Sequence, residues 1–349
     1  MTLFLLLSCG SGQQSVDSPN GGGAATGGSS LSSVLMDVGR SAENAFYSFL
    51  DLLSGTLGFT AKSTTKKNDV GGYFNSLGVK LGEASDELEA VAKKSEGEGA
   101  KDEAIAVAIR SAVDAAKTTL STLKTHLESL KDTGDDNKVG DAASAAGQGT
   151  TPDDAELKKA YNALKGIVEE SGKVGVPEPK VGVAALNVTG VDNKDGAKIL
   201  STNGNPDAAD VSKAAVILAA VSGEEILDSI VKSGESDAAL SNNADGATTA
   251  MSFARGGTAA HLAGANTPKA AAVAGGIALR SLVKNGKLAA GAASGNAGGK
   301  EEMQGVGITA ANKLLVAVED VVKKTVKNVL EKTKQKIDEA RDPKPTAQQ

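Results

Sequence analysis

Residues 308–340 read ITAANKLLVAVEDVVKKTVKNVLEKTKQKIDEA, and this stretch decides the fold. Its apolar residues recur every three or four positions, which places them on one side of a helix. Prolines at 343 and 345 then end the helix, because proline cannot continue the hydrogen-bond ladder. A helix of this length spans about 50 Å at a rise of 1.5 Å per residue. The apolar stripe consists of Leu315, Val318, Val322, Val326, Val329 and Ile337.

The same spacing recurs upstream of this C-terminal helix. It predicts a helix from about Leu31 to Leu57, a second that follows a capping Asp69, and a third from about Asp102 to Lys131. The first of these helices and the C-terminal helix are a natural antiparallel pair. If they pair in this way, both chain ends lie at one end of the bundle and the loops lie at the other.

Helix-start signals mark further helices in the middle of the chain. Thr151-Pro152-Asp153-Asp154 and Asn205-Pro206-Asp207 combine a cap, a proline and carboxylates, and Ser222 with Glu225 forms a capping box. Two Ala-rich helices follow. The second, within 269–288, is apolar on most faces, so we expect it to be buried.

Stretches rich in Gly, Ser and Asp without any apolar period separate these helices. The longest cover about 132–150, 171–204, 233–246 and 290–305, and we interpret the first of them as a solvated loop. Within 171–204, Val-rich patches broken by Gly and Pro are compatible with short strands or with extended loop.

Composition indicates a core of small side chains. The 349 residues contain no Trp, three Tyr, six Phe and one Cys, so Ala, Val, Leu and Ile must fill the interior without disulfides. Such side chains suit closely packed helices. The prediction is an all-α fold, an elongated helical bundle with its N- and C-terminal helices packed near a membrane and with irregular, loop-rich distal segments that can include short strands. It forms one domain over 31–340 with a disordered tail at 341–349.

The single cysteine directly follows an apolar run in MTLFLLLSCGSGQQ. Leu3 to Leu7 is too short to cross a bilayer, which needs about 20 apolar residues. Leu6-Leu7-Ser8-Cys9 resembles a bacterial lipobox, in which the cysteine becomes the lipidated first residue. We therefore interpret 1–8 as the remnant of a truncated signal peptide and 9–30, rich in Gly and Ser, as a flexible tether.

Several long blocks resemble a known family. They are MDVGRSAENAFYSFLDLLSGTLGFTAKSTTKKNDVGGYFNSLGVKLGEASDELEAVAKKS, ELKKAYNALKGIVE, SGEEILDSIVKS, GGIALRSLVKNGKLA and VGITAANKLLVAVEDVVKKTVKNVLEKTKQKIDEARDPK. These blocks resemble the variable large proteins of relapsing-fever Borrelia, one branch of the variable major lipoproteins. That family is also similar to the helical VlsE lipoprotein of Lyme-disease spirochaetes.

The resemblance implies a lipoprotein of the cell outer membrane, anchored through lipid at Cys9 and exposed on the surface. It further implies antigenic variation, in which distal segments differ between alleles so that host antibodies lose their target. Immune evasion would then be the function, with the membrane and host antibodies as partners.

No residue pattern indicates an enzyme, a metal site or a cofactor. His126 and His261 lie far apart in sequence, and we interpret each as a surface or capping histidine rather than a catalytic or metal-binding one. The Gly-rich ASGNAGGKEE differs from a phosphate-binding loop, because Ser294 replaces its first glycine and Glu301 would repel phosphate.

Lysine-rich surfaces leave a second function open. Lys62, Lys66 and Lys67 form one candidate basic patch, and Arg280, Lys284 and Lys287 form either another patch or an exposed edge. Lys323, Lys324 and Lys327 belong to a basic face of the last helix that Lys332, Lys334 and Lys336 continue. These lysines either form solvated faces, meet anionic headgroups, or make the chain an adhesin for host glycosaminoglycans, plasminogen or complement proteins. A net charge of −6 argues against nucleic acid, and a homodimer stays open.

Overall fold

A computed structural model describes residues 39–41, 43, 44, 47, 49, 55–96, 103–182, 193–264 and 268–341. Over these residues the chain is mainly helical with one small sheet, so the all-α prediction is confirmed. The elements are α1 (Lys67–Ser95), α2 (Glu103–Ser129), α3 (Asp154–Lys173), α4 (Asn193–Ala197), a 3-10 turn (Lys198–Leu200), β1 (Ser201–Asn203), α5 (Ala208–Ala220), α6 (Gly223–Val231), α7 (Ala250–Arg255), β2 (Gly257–Thr258), α8 (Ala259–Leu262), α9 (Ala270–Leu282) and α10 (Lys300–Arg341).

Helices α1 and α2, the longest before α10, form an antiparallel pair. The stripe of α1 that contains Phe74, Leu77 and Leu81 is buried, as its three- and four-residue spacing predicts. Close approach near the start of α1 depends on Gly71, because a Cβ there would lie 2.2 Å from the carbonyl oxygen of Lys131. Helix α2 of this pair, together with α3, α5, α6 and α9, packs against α10, the spine of the fold.

Helix α9 is the centre of the core. Every residue from Ala270 to Ser281 is buried, which confirms the prediction made from its apolar faces. Small residues let its neighbours approach closely. A Cβ at Gly276, for example, would lie 2.4 Å from Cβ of Phe253 in α7. The described Val-rich residues 174–182 form extended loop without a strand, and the end of the 171–204 region contains α4, the 3-10 turn and β1, which pairs in parallel with β2.

Helix α10 begins at Lys300, well before the predicted start at 308. The loop prediction for 290–305 is therefore wrong over its last six residues. Two carboxylates in the first turn favour this earlier start, since they lie at the positive end of the helix dipole. Glu301 Oε2 accepts the amide of Gly295 at 2.9 Å, and Glu302 Oε2 accepts that of Gly298 at 2.7 Å.

Three predicted helix starts are shifted, and one is confirmed. Asp69 does not cap α1 from outside. It lies in the first turn, where its carboxylate accepts the amide of Lys66 at 2.7 Å. Helix α3 is capped by Asp153 rather than Thr151, because the Asp153 carboxylate reaches two amides of the first turn.

The capping box before α6 is confirmed. Ser222 Oγ accepts the amide of Glu225 at 3.2 Å, and the Glu225 carboxylate accepts the amide of Ser222 at 2.8 Å. Helix α5 follows the Asn-Pro-Asp signal but begins at Ala208, with Asp207 rather than Asn205 in the capping position.

Residues 58–63 form an extended segment, here called the strap, that runs antiparallel to α10. Three polar side chains of α10 hold its backbone. Glu319 accepts the amides of Gly58 and Phe59, Asn312 exchanges two hydrogen bonds with Ala61, and Gln304 donates to the Ser63 carbonyl. The predicted helix over 31–57 that would precede the strap lies mostly outside the described residues.

The loops do not all lie at one end of the bundle, as the predicted pairing implied. Segments 132–150 and 290–299 surround the N-terminal end of α10. The loop that follows α3 instead contacts the C-terminal half, because the Val174 carbonyl accepts hydrogen bonds from Asn328 and Lys332. The expectation is therefore wrong for the start of the 171–204 segment.

Candidate functional site

The N-terminal end of α10 is covered by two loops that form one hydrogen-bonded body. We call residues 133–153 and 283–299, with the first turn of α10, the apex. Leu288 donates to the Asp141 carbonyl and accepts from Ala143, and Thr150 exchanges two backbone hydrogen bonds with Lys287. These bonds satisfy backbone groups in segments that have neither helix nor long strand.

The loop 132–150 is not solvated throughout, which corrects that part of the sequence interpretation. Val139 and Ala142 are fully buried beneath it, and Gly140 donates to the Ser281 carbonyl of α9. Residues 144–146 and 148, by contrast, are small or polar and exposed, as are 293–297 on the neighbouring loop. The apex therefore presents an exposed rim of small residues on a buried base.

Lys67 belongs to that base and not to the surface, which corrects its place in the predicted basic patch. Its side chain is 1% exposed, and Nζ donates to the carbonyls of Val283 at 2.8 Å and Gly286 at 2.6 Å. Burial lowers the pKa of Lys67 to about 8, against the opposing effect of Asp135 and Asp141. The amine thereby ties the start of α1 to the turn after α9.

Arg280 is also fully buried, so it forms neither a surface patch nor an exposed edge. Its guanidinium donates to the Ala254 carbonyl at 3.0 and 2.8 Å, at the C-terminal end of α7. Burial lowers its pKa, and no carboxylate among the described residues offsets this effect. The sequence signal that could have indicated this interior role is a charged residue within an otherwise apolar helix.

Asp141 links the two loops to α10 through charge. Its carboxylate lies 3.3 Å from Lys287 and 3.0 Å from Lys300. Burial opposes ionisation of Asp141, but the two ammonium groups outweigh it and hold the pKa of this carboxyl below its usual value. Nothing in the sequence pattern singled out this residue, because its partners are distant along the chain.

The remaining lysines of the predicted ligand patches are exposed, and several have acidic neighbours. Lys66 lies 3.2 Å from Asp136, Lys324 lies 3.7 Å from Glu224, and Lys327 lies 3.7 Å from Glu331. Lys62 and Lys323 are exposed as well. The surface of α10 is thus mixed in charge, and a role for Lys62, Lys66, Lys323, Lys324 and Lys327 in ligand binding stays a prediction.

The histidines occupy two separate places. The ring of His126 lies against Gly166 of α3, where a Cβ would come within 2.2 Å of it. His261 is in the short helix α8, and its amide donates to the capping Thr258 hydroxyl. In the described part of the chain, no three His, Cys, Asp or Glu side chains form a group able to hold a metal ion.

The predicted lipidation site, Cys9, lies outside the described residues. Among the helices that are described, none has the length and apolar character needed to cross a membrane.

Comparison with known proteins identifies the family. A family model described as Borrelia lipoprotein matches residues 42–337. Variable large protein 18 of Borrelia hermsii is 63% identical over 350 residues, covering 100% of this chain and 96% of the relative. Variable large protein 7 of the same organism is 60% identical over 343 residues, covering 98% and 92%.

A solved structure shows the same fold. The crystal structure of the Lyme disease variable surface antigen VlsE of Borrelia burgdorferi superposes with a TM-score of 0.69 at 24% identity, covering 88% of this chain and 98% of that one. At this identity the likeness concerns the fold alone. The family resemblance expected from the sequence blocks is thereby confirmed, and the chain belongs to the Borrelia lipoprotein family.

Proposed function

We propose that this protein is an antigenically variable surface lipoprotein of the outer membrane, whose exposed apex is the part that host antibodies meet. The observation that carries the proposal is the identity of 60–63% with Variable large proteins over nearly the whole chain. Immune evasion would follow if the exposed residues change between alleles while the buried base stays the same.

The architecture of the apex supports this proposal. The exposed residues 144–146, 148 and 293–297 are small or polar, and they lie above buried groups such as Val139 and Ala142. Substitutions at such exposed positions usually change stability by less than about 0.5 kcal/mol. The rim can therefore vary widely while the fold is retained.

An exchange of the rim tests the proposal. Residues 144–148 and 293–297 are replaced by those at the corresponding positions of Variable large protein 18, and sera raised against each protein are titrated on the chimera. We expect recognition to shift toward the donor of the rim while the chimera still unfolds cooperatively, provided that Gly295, with φ of 83°, stays glycine. A matched control changes Val107, which is exposed on α2 outside the apex. Unchanged recognition of the rim chimera would contradict the proposal.

Anchoring is tested separately with Cys9. A single acyl chain binds membranes only marginally, so a stable anchor needs more than one chain on the cysteine. In a chain with a complete export signal, Cys9→Ser is expected to release the protein into the medium. Retention of the variant on the cell would contradict lipid anchoring through this residue.

A further inference from the structure

Two asparagines among the described residues precede a glycine, Asn203 and Asn285. An asparagine followed by glycine is chemically labile, because glycine lacks the side chain that would hinder attack of its own backbone nitrogen on the asparagine amide. The two Asn-Gly sites differ in packing and in hydrogen bonding of the glycine nitrogen, so they can be compared within one protein.

The fold protects Asn285. The residue has φ of 63°, and the nitrogen of the following Gly286 donates to the Val283 carbonyl at 3.1 Å. The Gly286 carbonyl accepts from buried Lys67, and a Cβ on Gly286 would lie 2.3 Å from the Arg280 carbonyl oxygen. The attacking nitrogen is thus engaged in a closely packed turn, which must open before it can react.

Asn203 is free to react. It ends β1 and is exposed, and Gly204 is exposed as well with φ of 92°. The described residues provide no acceptor for the Gly204 amide, while its carbonyl accepts only from the Ser201 hydroxyl. A Cβ at Gly204 would meet one methyl group, that of Ala259. In contrast to Gly286, the Gly204 nitrogen has no hydrogen bond among the described residues that must break before it approaches the side-chain carbon.

We propose that Asn203 is a site of spontaneous deamidation in the folded protein, and that Asn285 is shielded from it. The Gly204 nitrogen bonds to Cγ of Asn203 and loses its proton, the bond from Cγ to the side-chain nitrogen breaks, and that nitrogen takes up the proton and leaves as ammonia. Water then adds to either carbonyl of the resulting succinimide and opens the ring. The product is aspartate or isoaspartate, and no electrons are exchanged with an oxidant or reductant.

The reaction changes the protein surface without a change in its gene. A neutral amide becomes a carboxylate, and isoaspartate adds one atom to the backbone between Asn203 and Gly204. Both changes occur at the end of β1, whose Ser201 carbonyl accepts the apex amide of Gly149. Any effect on antibody recognition depends on the proposed function, whereas the reaction itself does not.

The test follows both sites by mass spectrometry after incubation of the folded full-length protein in heavy-oxygen water. Cleavage after Lys198 and Lys213 releases a peptide with both Asn203 and Asn205. Asn205 precedes Pro206, whose nitrogen carries no hydrogen, so it is an internal control. We expect label at Asn203 at least about tenfold faster than at Asn285, and similar rates for both in guanidinium. Equal rates in the folded protein, or faster labelling of Asn285, would overturn the proposal.

A variant makes the assignment specific. Asn203→Gln is expected to abolish label in the 199–213 peptide and to leave the rate at Asn285 unchanged, because the longer side chain forms its ring poorly and the position is exposed. Label that persists in this peptide would place the reaction elsewhere and refute the assignment. The readout involves no antibody, so its failure is distinguishable from failure of the proposed function.

Discussion

The helical core and the apex of this protein are held together in different ways. The core depends on apolar stripes such as that of α1, in which Phe74, Leu77 and Leu81 are buried against neighbouring helices. The apex depends on backbone hydrogen bonds and a few buried charges, with Lys67 and Asp141 between its segments. Because the helical core supplies most of the stability, the apex can carry an exposed rim of small residues.

Leu77→Ala tests the core and has the largest expected effect. Leu77 is fully buried, so the substitution removes apolar contacts and leaves a cavity. We expect a loss of about 2–5 kcal/mol in the free energy of unfolding, measured by chemical denaturation. Val79→Ala on the exposed side of the same helix is the control and should cost far less. A small effect of Leu77→Ala would mean that α1 is not part of the stabilising core.

The pH dependence of stability tests the apex. The pKa of Lys67 is about 8 in the folded protein and 10.5 when unperturbed, so the unfolded chain binds more protons between these values. Stability contributed by this group therefore rises as pH rises from about 8 toward 10.5, by at most about 3 kcal/mol. Denaturation between pH 7 and about 10 measures the effect against Lys67→Met, which should lack this slope.

Above about pH 10, the measured stability would also depend on the ionisation of a second group, Tyr73. Burial, with the hydrogen bond to Glu319, raises the pKa of Tyr73, so its contribution is lost as pH exceeds the ordinary value for tyrosine. Identical slopes for the parent and Lys67→Met below pH 10 would show that folding does not lower the pKa of Lys67.

Lys67→Met at neutral pH has a smaller and more local expected effect. It leaves the Gly286 carbonyl without its donor and the Val283 carbonyl with only the Gly286 amide, which costs about 1–3 kcal/mol and is partly offset by removal of a buried charge. Hydrogen exchange should therefore accelerate at 133–153 and 283–291 more than in α1 and α2. Lys66→Met, at an exposed neighbour, is the control. Uniform acceleration across the chain would contradict a local role.

Ser222→Ala has the smallest expected effect. The hydroxyl caps α6 through the amide of Glu225, and loss of such a cap costs about 1 kcal/mol. Thermal denaturation measures this change, and Ser121→Ala, at an exposed mid-helix position, is the control. Equal effects of the two substitutions would show that the capping box does not stabilise α6.

The core could be predicted from sequence because its information is local and periodic. The stripe of α10, the buried α9 and the Ser222 capping box all follow from residues within a few positions of one another. The apex could not, because its contacts join residues more than 100 positions apart, such as Asp141 with Lys287. Lysine and arginine are usually exposed, which is why the burial of Lys67 and Arg280 was not expected. Periodicity also gave no sign that Val139 and Ala142 lie beneath an otherwise polar loop.

The most direct test of the proposal that the apex faces outward is brief treatment of intact cells with a protease of broad specificity, followed by mapping of the cuts. We expect early cuts within 144–148 and 293–297 and later cuts in 174–182, beside the C-terminal half of α10. Helix α10 itself should stay intact. The purified protein supplies the reference pattern. Protection of the rim on cells, when the same rim is cut in the purified protein, would contradict the claim that the apex faces the host.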